Sequence, residues 1–332
     1  MARFTLRKLI LASSLTLFLC GCAMANSKPP IPVNSPTPVN SPTAESATFR
    51  VIAYVTDAIV PAAIQYDYLT HINYAFLIPN DNGTFQALAN SWKIGEIIDQ
   101  AHQHDVKVLI SVGGWGWDEQ FETMAANPAA RTAFVQNLVS AVSQYQFDGA
   151  DIDWEYPDPG QSSRNFLNLM QELRIALPQD KLLTMAVVAL GDEHGLGIPV
   201  EVFDLVDFAN IMAYDGSGTQ HSSMGYAQSA LDYWLSRGLP ASKAVLGVPF
   251  YARPVETPYW KIVQADPAAA QLDVFEYDGI VLNYNGIPTI QAKTRLAMQR
   301  GTGIMFWNLD CDASGDLSLL GAIHQVVVNS GQ

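Results

Sequence analysis

Cysteine is scarce in this chain, three in 332 residues, and the placement of the three excludes a disulfide framework. Cys20 and Cys22 fall in the N-terminal leader, so Cys311 stands alone in the remainder, where a lone cysteine after an apolar strand reads as an inert buried side chain. Positive charge is scarce as well: 18 Lys and Arg face 32 Asp and Glu, for a formal charge of −14. A field of that sign makes nucleic acid and anionic lipid poor partners and does not repel a neutral polysaccharide. The apolar run from Leu9 to Leu19 falls short of the ~20 residues that span a bilayer. Metal-ligand spacing is missing too. His102 and His104 are two apart, which on a helix puts them on different faces, and Asp310, Asp312 and Asp316 lack the full pattern of a calcium loop. No metal and no cofactor are assigned.

The leader carries Arg3, Arg7 and Lys8 ahead of the apolar run, the pattern of a signal peptide for export. Leu19-Cys20-Gly21-Cys22 then resembles a bacterial lipobox, with Cys22 as the lipidated first residue of the mature chain. Ala23-Met24-Ala25 offers the alternative of ordinary secretion. Residues 1–22 are accordingly read as leader and lipobox. Their loss removes three basic residues and no acidic one, leaving a charge of about −17. In residues 23–48, PVNSPT at Pro32 to Thr37 repeats residue for residue at Pro38 to Thr43. Proline at that density gives an extended, core-less tether, and membrane association is expected only through the lipid.

From residue 49 short β-branched runs alternate with longer helical ones such as Arg131 to Tyr145, the signature of a parallel sheet wrapped by helices. Eight strands are expected: Arg50 to Val55, His71 to Phe76, Lys107 to Val112, Gly149 to Glu155, Leu182 to Val187, Phe208 to Tyr214, Ala244 to Phe250 and Gly303 to Asn308. That count over residues 49–332 predicts a (β/α)8 TIM barrel. A doubly wound sheet would show a glycine-rich phosphate loop after its first strand, and Tyr54-Val55-Thr56-Asp57 offers none.

Chemistry concentrates in DGADIDWEYP, Asp148 to Pro157. Asp151, Asp153 and Glu155 recur at every second position and share one face of a strand, while Ile152 and Trp154 face the other way. Carboxylates that close cannot all ionise at neutral pH, so one is expected to keep a proton and serve as a general acid. Other polar and aromatic groups fall at expected strand ends, where barrels place their active sites: Ser111-Val112-Gly113-Gly114-Trp115, Met212-Ala213-Tyr214-Asp215 and Phe306-Trp307-Asn308.

These residues resemble the chitinase-type, family 18, glycoside hydrolases. The family's D-x-x-D-x-D-x-E is met by Asp148, Asp151, Asp153 and Glu155, and the likeness extends through HINYAF, SVGGW, MAYD, GVPFYAR and GIMFWNLD. The resemblance implies retaining, substrate-assisted cleavage of β-1,4-linked N-acetylglucosamine polymers. It implies Glu155 as the acid, Asp153 as the group orienting the substrate's acetamido, Asp151 as its buried partner and Tyr214 as a second acetamido contact. Trp307 would floor the cleavage point, with Met212 and Asp215 beside Tyr214, Tyr54 and Ser111 in support, and Trp115, Tyr156 and Tyr251 as sugar contacts. The segment Pro254 to Pro288 is too short for the whole α+β domain many members insert after strand seven, which predicts little or no such insertion and an open groove. Tyr259, Trp260 and Tyr284 within it could line that groove or pin the loop. An endo-β-N-acetylglucosaminidase with the same chemistry, or a silent sugar-binding protein on the same fold, are the alternatives. A monomer is expected.

Overall fold

The computed structural model describes residues 49–301 and 303–331. The leader, Cys22 and the 23–48 linker lie outside the described residues. Eight parallel strands, Val51–Val55, His71–Leu77, Lys107–Gly113, Gly149–Asp153, Leu182–Val188, Phe208–Met212, Ala244–Pro249 and Gly303–Trp307, close into a barrel in chain order, the last pairing with the first through Val51 and Ile304. The chain is a (β/α)8 barrel, as the alternating pattern predicts.

Every strand is buried on both faces, which is why its residues read as near-continuous apolar runs. The two faces serve different cores. Ile52, Ala186, Phe208, Val245 and Met305 fill the barrel interior, whereas the alternate residues, among them Val51, Ile72, Ile110 and Ile152, pack outward. Their partners are the helices Ser91–Gln103, Asp118–Ala126, Pro128–Tyr145, Gln161–Ala176, Met224–Ser236, Ile287–Gln299 and Leu319–Asn329. Two connections are reduced. The first strand is followed by two 3-10 turns, Pro61–Ala63 and Tyr66–Tyr68, and the fifth by the four-residue helix Asp192–Gly195 and a 3-10 turn at Val200–Asp204.

After the seventh strand a small insertion does form: a two-stranded pair, Tyr251–Ala252 with Thr257–Pro258, a helix at Tyr259–Ala265, and a hairpin of Val274–Tyr277 with Ile280–Asn283. Of the two expected roles for its aromatics, pinning the loop is the one met, and none of the three lines the main cleft. Tyr259 and Tyr284 are buried, with hydroxyls donated to the Leu317 and Ala269 carbonyls, and so pin the segment. Trp260 faces a lesser hollow beside Gln65 and Asp310 rather than the main cleft.

Two of the acidic residues after the eighth strand bind backbone, Asp310 the Thr56 amide at 2.9 Å and Asp312 the start of the last helix. Asp312 accepts from the Leu319 and Leu320 amides and from Ser318 Oγ, capping the last helix. Cys311 is partly buried, with its thiol pushed up to about 12 by burial, which suits the inert reading.

Candidate active site

The fourth strand carries the site because its register puts alternate residues over the barrel axis. Asp151 is level with Ser111 on the third strand and Thr184 on the fifth, and Asp153 is level with Gly113. Asp151, with no solvent exposure, gathers donors from four other strands. Its Oδ2 accepts from the Tyr54 hydroxyl at 2.7 Å and Ser111 Oγ at 2.8 Å; its Oδ1 accepts from Thr184 Oγ1 at 2.5 Å and Asn210 Nδ2 at 3.3 Å. Burial outweighs these bonds and holds the Asp151 carboxyl above its usual range.

Asp153 is 3% exposed. Burial first, then the adjoining charges of Glu155 and Asp151, push it well above the usual carboxylate range. Among the described residues nothing donates to its Oδ1. Glu155 is half-buried, and burial raises it to about 7, against a hydrogen bond from the Tyr156 hydroxyl that lowers it and with a further upward push from Asp215. Asp153 and Glu155 therefore titrate together, and protons remain on that pair at neutral pH.

Strand ends differ from those expected. The fourth strand stops at Asp153, where the Gly114 amide binds the Asp153 carbonyl at 2.9 Å and pairing with the third strand ends, so Glu155 stands on the loop beyond it. Tyr214 lies likewise two residues past the sixth strand, which ends at Met212. Glycine is required at the neighbouring turn: Gly113 has φ +109°, and a Cβ there would run into the Asp153 carbonyl and the Phe121 ring. Behind the strand, Trp154 is buried and donates Nε1 to Asp118 at 2.7 Å, which anchors the outward face.

Asp148 does not join this cluster. Three residues before Asp151, it sits at the opposite end of the strand, accepting from the Val108 amide at 2.8 Å, His102 at 2.8 Å and Lys107 at 3.4 Å. His102 and His104 are both at this foot of the barrel, on separate carboxylates, Asp148 and Asp67.

Above the carboxyl row a cleft of about 1120 Å³ opens, lined by Tyr54, Trp115, Asp153, Glu155, Tyr156, Met212, Tyr214, Asp215, Tyr251 and Trp307. Asp151 and Ser111 lie beneath it. Trp307 stacks on Phe76 at 5.4 Å and meets Tyr54 edge-on at 5.7 Å, so its orientation is set from below. Trp115 is 78% exposed, a rim residue. Tyr251 is nearly buried, edge-on to Tyr214 at 6.2 Å, and its hydroxyl bonds Asp215. Asp215 is further held by a bidentate Arg253, both contacts at 2.8 Å, and by His221. Burial opposes ionisation of Asp215, but Arg253, His221 and Tyr251 prevail and keep it well below the usual range.

Several of these partners were not legible beforehand. Asn210 and Thr184 reach Asp151, and the only trace of them in the sequence is a polar residue inside an apolar strand run. Arg253 and His221, which hold Asp215, come from separate loops; Arg253 closes the GVPFYAR run without any sign of its partner, and His221 leaves no local signal.

Carboxyls of unequal acidity beneath an aromatic groove at a barrel mouth are the equipment of a glycoside hydrolase. The chain belongs to glycosyl hydrolases family 18, whose model it matches over residues 50–312, and it is a chitinase-type member. It is 26% identical over 341 residues to chitinase 1 of Aphanocladium album, covering 80% of this chain and 81% of that one. Among solved structures it resembles a family 18 chitinase from the chitin utilization locus of Flavobacterium johnsoniae, at 30% identity and TM-score 0.73 over 85% of this chain and 95% of that one. A chitinase from Bacteroides thetaiotaomicron superposes with TM-score 0.78 at 27% identity, covering 86% and 98%.

Proposed function

We propose that the chain hydrolyses β-1,4-linked N-acetylglucosamine polymers with retention, the substrate's own acetamido group serving as nucleophile. The reading rests on one observation: a Glu155 carboxyl held near neutrality shares an open cleft with an Asp153 whose Oδ1 lacks a donor. Glu155 delivers its proton to the glycosidic oxygen as the acetamido carbonyl oxygen attacks the anomeric carbon, giving an oxazolinium ion and a free sugar end. Asp153 gives up the proton it holds at rest to its neighbour Asp151 and, now ionised, accepts the amide N–H at Oδ1 and offsets the positive charge that develops on it. Tyr214 holds the acetamido oxygen in line, which lowers the entropic cost of closing the five-membered ring. Glu155, now a carboxylate, takes a proton from water as the oxygen adds to the anomeric carbon, restoring the acetamido group and the original configuration. Trp307 presents a flat face to the pyranose C–H bonds.

Incubation with chitin oligomers, a high-mannose glycopeptide and peptidoglycan side by side, with anomer analysis, tests the proposal. β-Anomers from chitin oligomers and no cleavage of fully deacetylated chitosan are expected. Efficient cutting of the chitosan would overturn substrate assistance, and preferential release of the glycopeptide's glycan would move the assignment to an endo-β-N-acetylglucosaminidase. We further propose that the mature chain starts at Cys22 and is tethered to the cell envelope. Palmitate labelling lost in Cys22→Ala supports this, and an unlabelled soluble product in the unaltered protein selects ordinary secretion.

A further inference from the structure

Lys293 lies in the helix Ile287–Gln299 with no solvent exposure, and it forms no ion pair with any described carboxylate. The nearest interacting acid, Asp273, is engaged by the Gly286 amide and Thr289 hydroxyl. The Lys293 ammonium instead donates to three neutral oxygens: the Ser222 carbonyl at 2.6 Å, Ser222 Oγ at 2.7 Å and Asn285 Oδ1 at 2.6 Å. Ser222 and Asn285 are themselves buried, and Asn285 Nδ2 adds a second bond to the Ser222 carbonyl at 3.0 Å. Burying an unpaired cation is costly, and burial accordingly lowers this amine to about 7.

The arrangement has a direction. An ammonium has donors only, so Ser222 Oγ must accept from Lys293 and spend its single proton elsewhere, on the Ala213 carbonyl at 2.6 Å. Ala213 immediately precedes Tyr214. The residue before Ser222 is His221, whose Nδ1 meets Asp215 at 3.1 Å. Both ends of the Tyr214–Asp215 pair are thus tied to one buried amine through Ser222. We propose that Lys293 is a positioning residue for the acetamido-binding side of the cleft, fixing Tyr214 through the Ser222 hydroxyl and Asp215 through His221. This rests on the role given above to Tyr214. A neutral Lys293 would have only two N–H groups; Ser222 Oγ–H would then turn to the amine, and the Ala213 carbonyl would lose its donor.

The test is a double-mutant cycle in the full chain on an acetylated chitin oligomer, with Tyr214→Phe as one arm and Ser222→Ala as the other, and Lys293→Met as the more disruptive companion. Binding of a thiazoline analogue of the oxazolinium ion is measured beside binding of the unreacted oligomer. Ser222→Ala is expected to lower kcat about 5- to 30-fold with KM nearly unchanged, to weaken thiazoline binding by a similar factor, and to cost little further when Tyr214 is already Phe. Lys293→Met is expected to do the same, with a lower Tm. If Tyr214→Phe impairs turnover while Ser222→Ala and any folded Lys293→Met leave kcat and thiazoline affinity intact, Lys293 is merely structural and the inference fails. If Tyr214→Phe itself is without effect, the reading of the site fails instead.

Discussion

The two ends of one strand carry the same side-chain type in opposite states. At the foot of the barrel Asp148 is opposed by burial but takes a backbone amide and His102, with Lys107 close by, and its carboxyl is held below the usual range. At the mouth Asp151, Asp153 and Glu155 are held above it. Only two residues separate Asp148 from Asp151. The difference is one of surroundings, since hydrogen-bond donors and Lys107 meet the carboxyl at the foot whereas burial and like charge dominate at the mouth. An acid that keeps its proton at neutral pH is therefore made by position, and the Asp148 carboxyl ties the foot of the fourth strand to the Val108 amide and His102.

The comparison breaks hardest at Glu155. Glu155→Gln is expected to lower turnover by at least the ~10²- to 10⁴-fold attributed to general acid catalysis while oligosaccharide binding, read by calorimetry, persists; near wild-type turnover would remove Glu155 from the role. The same substitution should stabilise the fold at pH 8. A carboxyl whose pKa rises on folding binds extra protons in the native state, so its cost grows as pH climbs from about 4.5 to about 7. Relief of about 1–3 kcal/mol is expected in urea unfolding at pH 8 and little at pH 4.5.

Next in size is the pH profile. An acid that must be protonated makes kcat/KM fall as pH rises through about 7. Since the Tyr156 hydroxyl lowers Glu155, Tyr156→Phe should move that basic limb upward, and a limb that stays put or moves down contradicts the hydrogen bond's part in setting acidity.

At the foot, Asp148→Asn is expected to cost about 1–2 kcal/mol of stability at pH 7 with kcat unchanged. Because the Asp148 carboxyl is lowered on folding, the stability it contributes is present at neutral pH and lost in acid, so wild type and variant should converge as pH falls below the ordinary carboxylate range. A loss of turnover larger than the loss of folded protein would show that the two ends are coupled. The smallest effect is at the rim: Trp115→Ala should raise KM a few-fold for long oligomers, leave short ones nearly unchanged, and not shift Tm, as befits a ring 78% exposed.

The barrel was legible because a parallel strand buried on both faces has little choice but to be apolar and β-branched, and all eight runs fell within a few residues of where they form. Their ends were less legible. Gly149 to Glu155 looked like one strand, yet pairing stops at Asp153 because the third strand turns away at Gly113 and Gly114, a tertiary event recorded in another segment. The reduced insertion was expected from its length, while the choice between lining the groove and pinning the loop stayed open for Tyr259, Trp260 and Tyr284, since a loop aromatic's neighbours lie far off in the chain.

Asp151 and Asp153 were placed on one side by local alternation alone, because the two-residue repeat of an extended backbone is a property of adjacent peptides and needs no partner, whereas Glu155 reaches the same cleft from the loop beyond the strand. What adjacency could not supply was charge state. Thr184, Asn210 and Tyr54 come to Asp151, and Arg253 and His221 to Asp215, from loops and strands up to 97 residues away. Coulomb energy and desolvation depend on distance through space, so only closure of the barrel decided which of these acids would hold a proton and which would give it up.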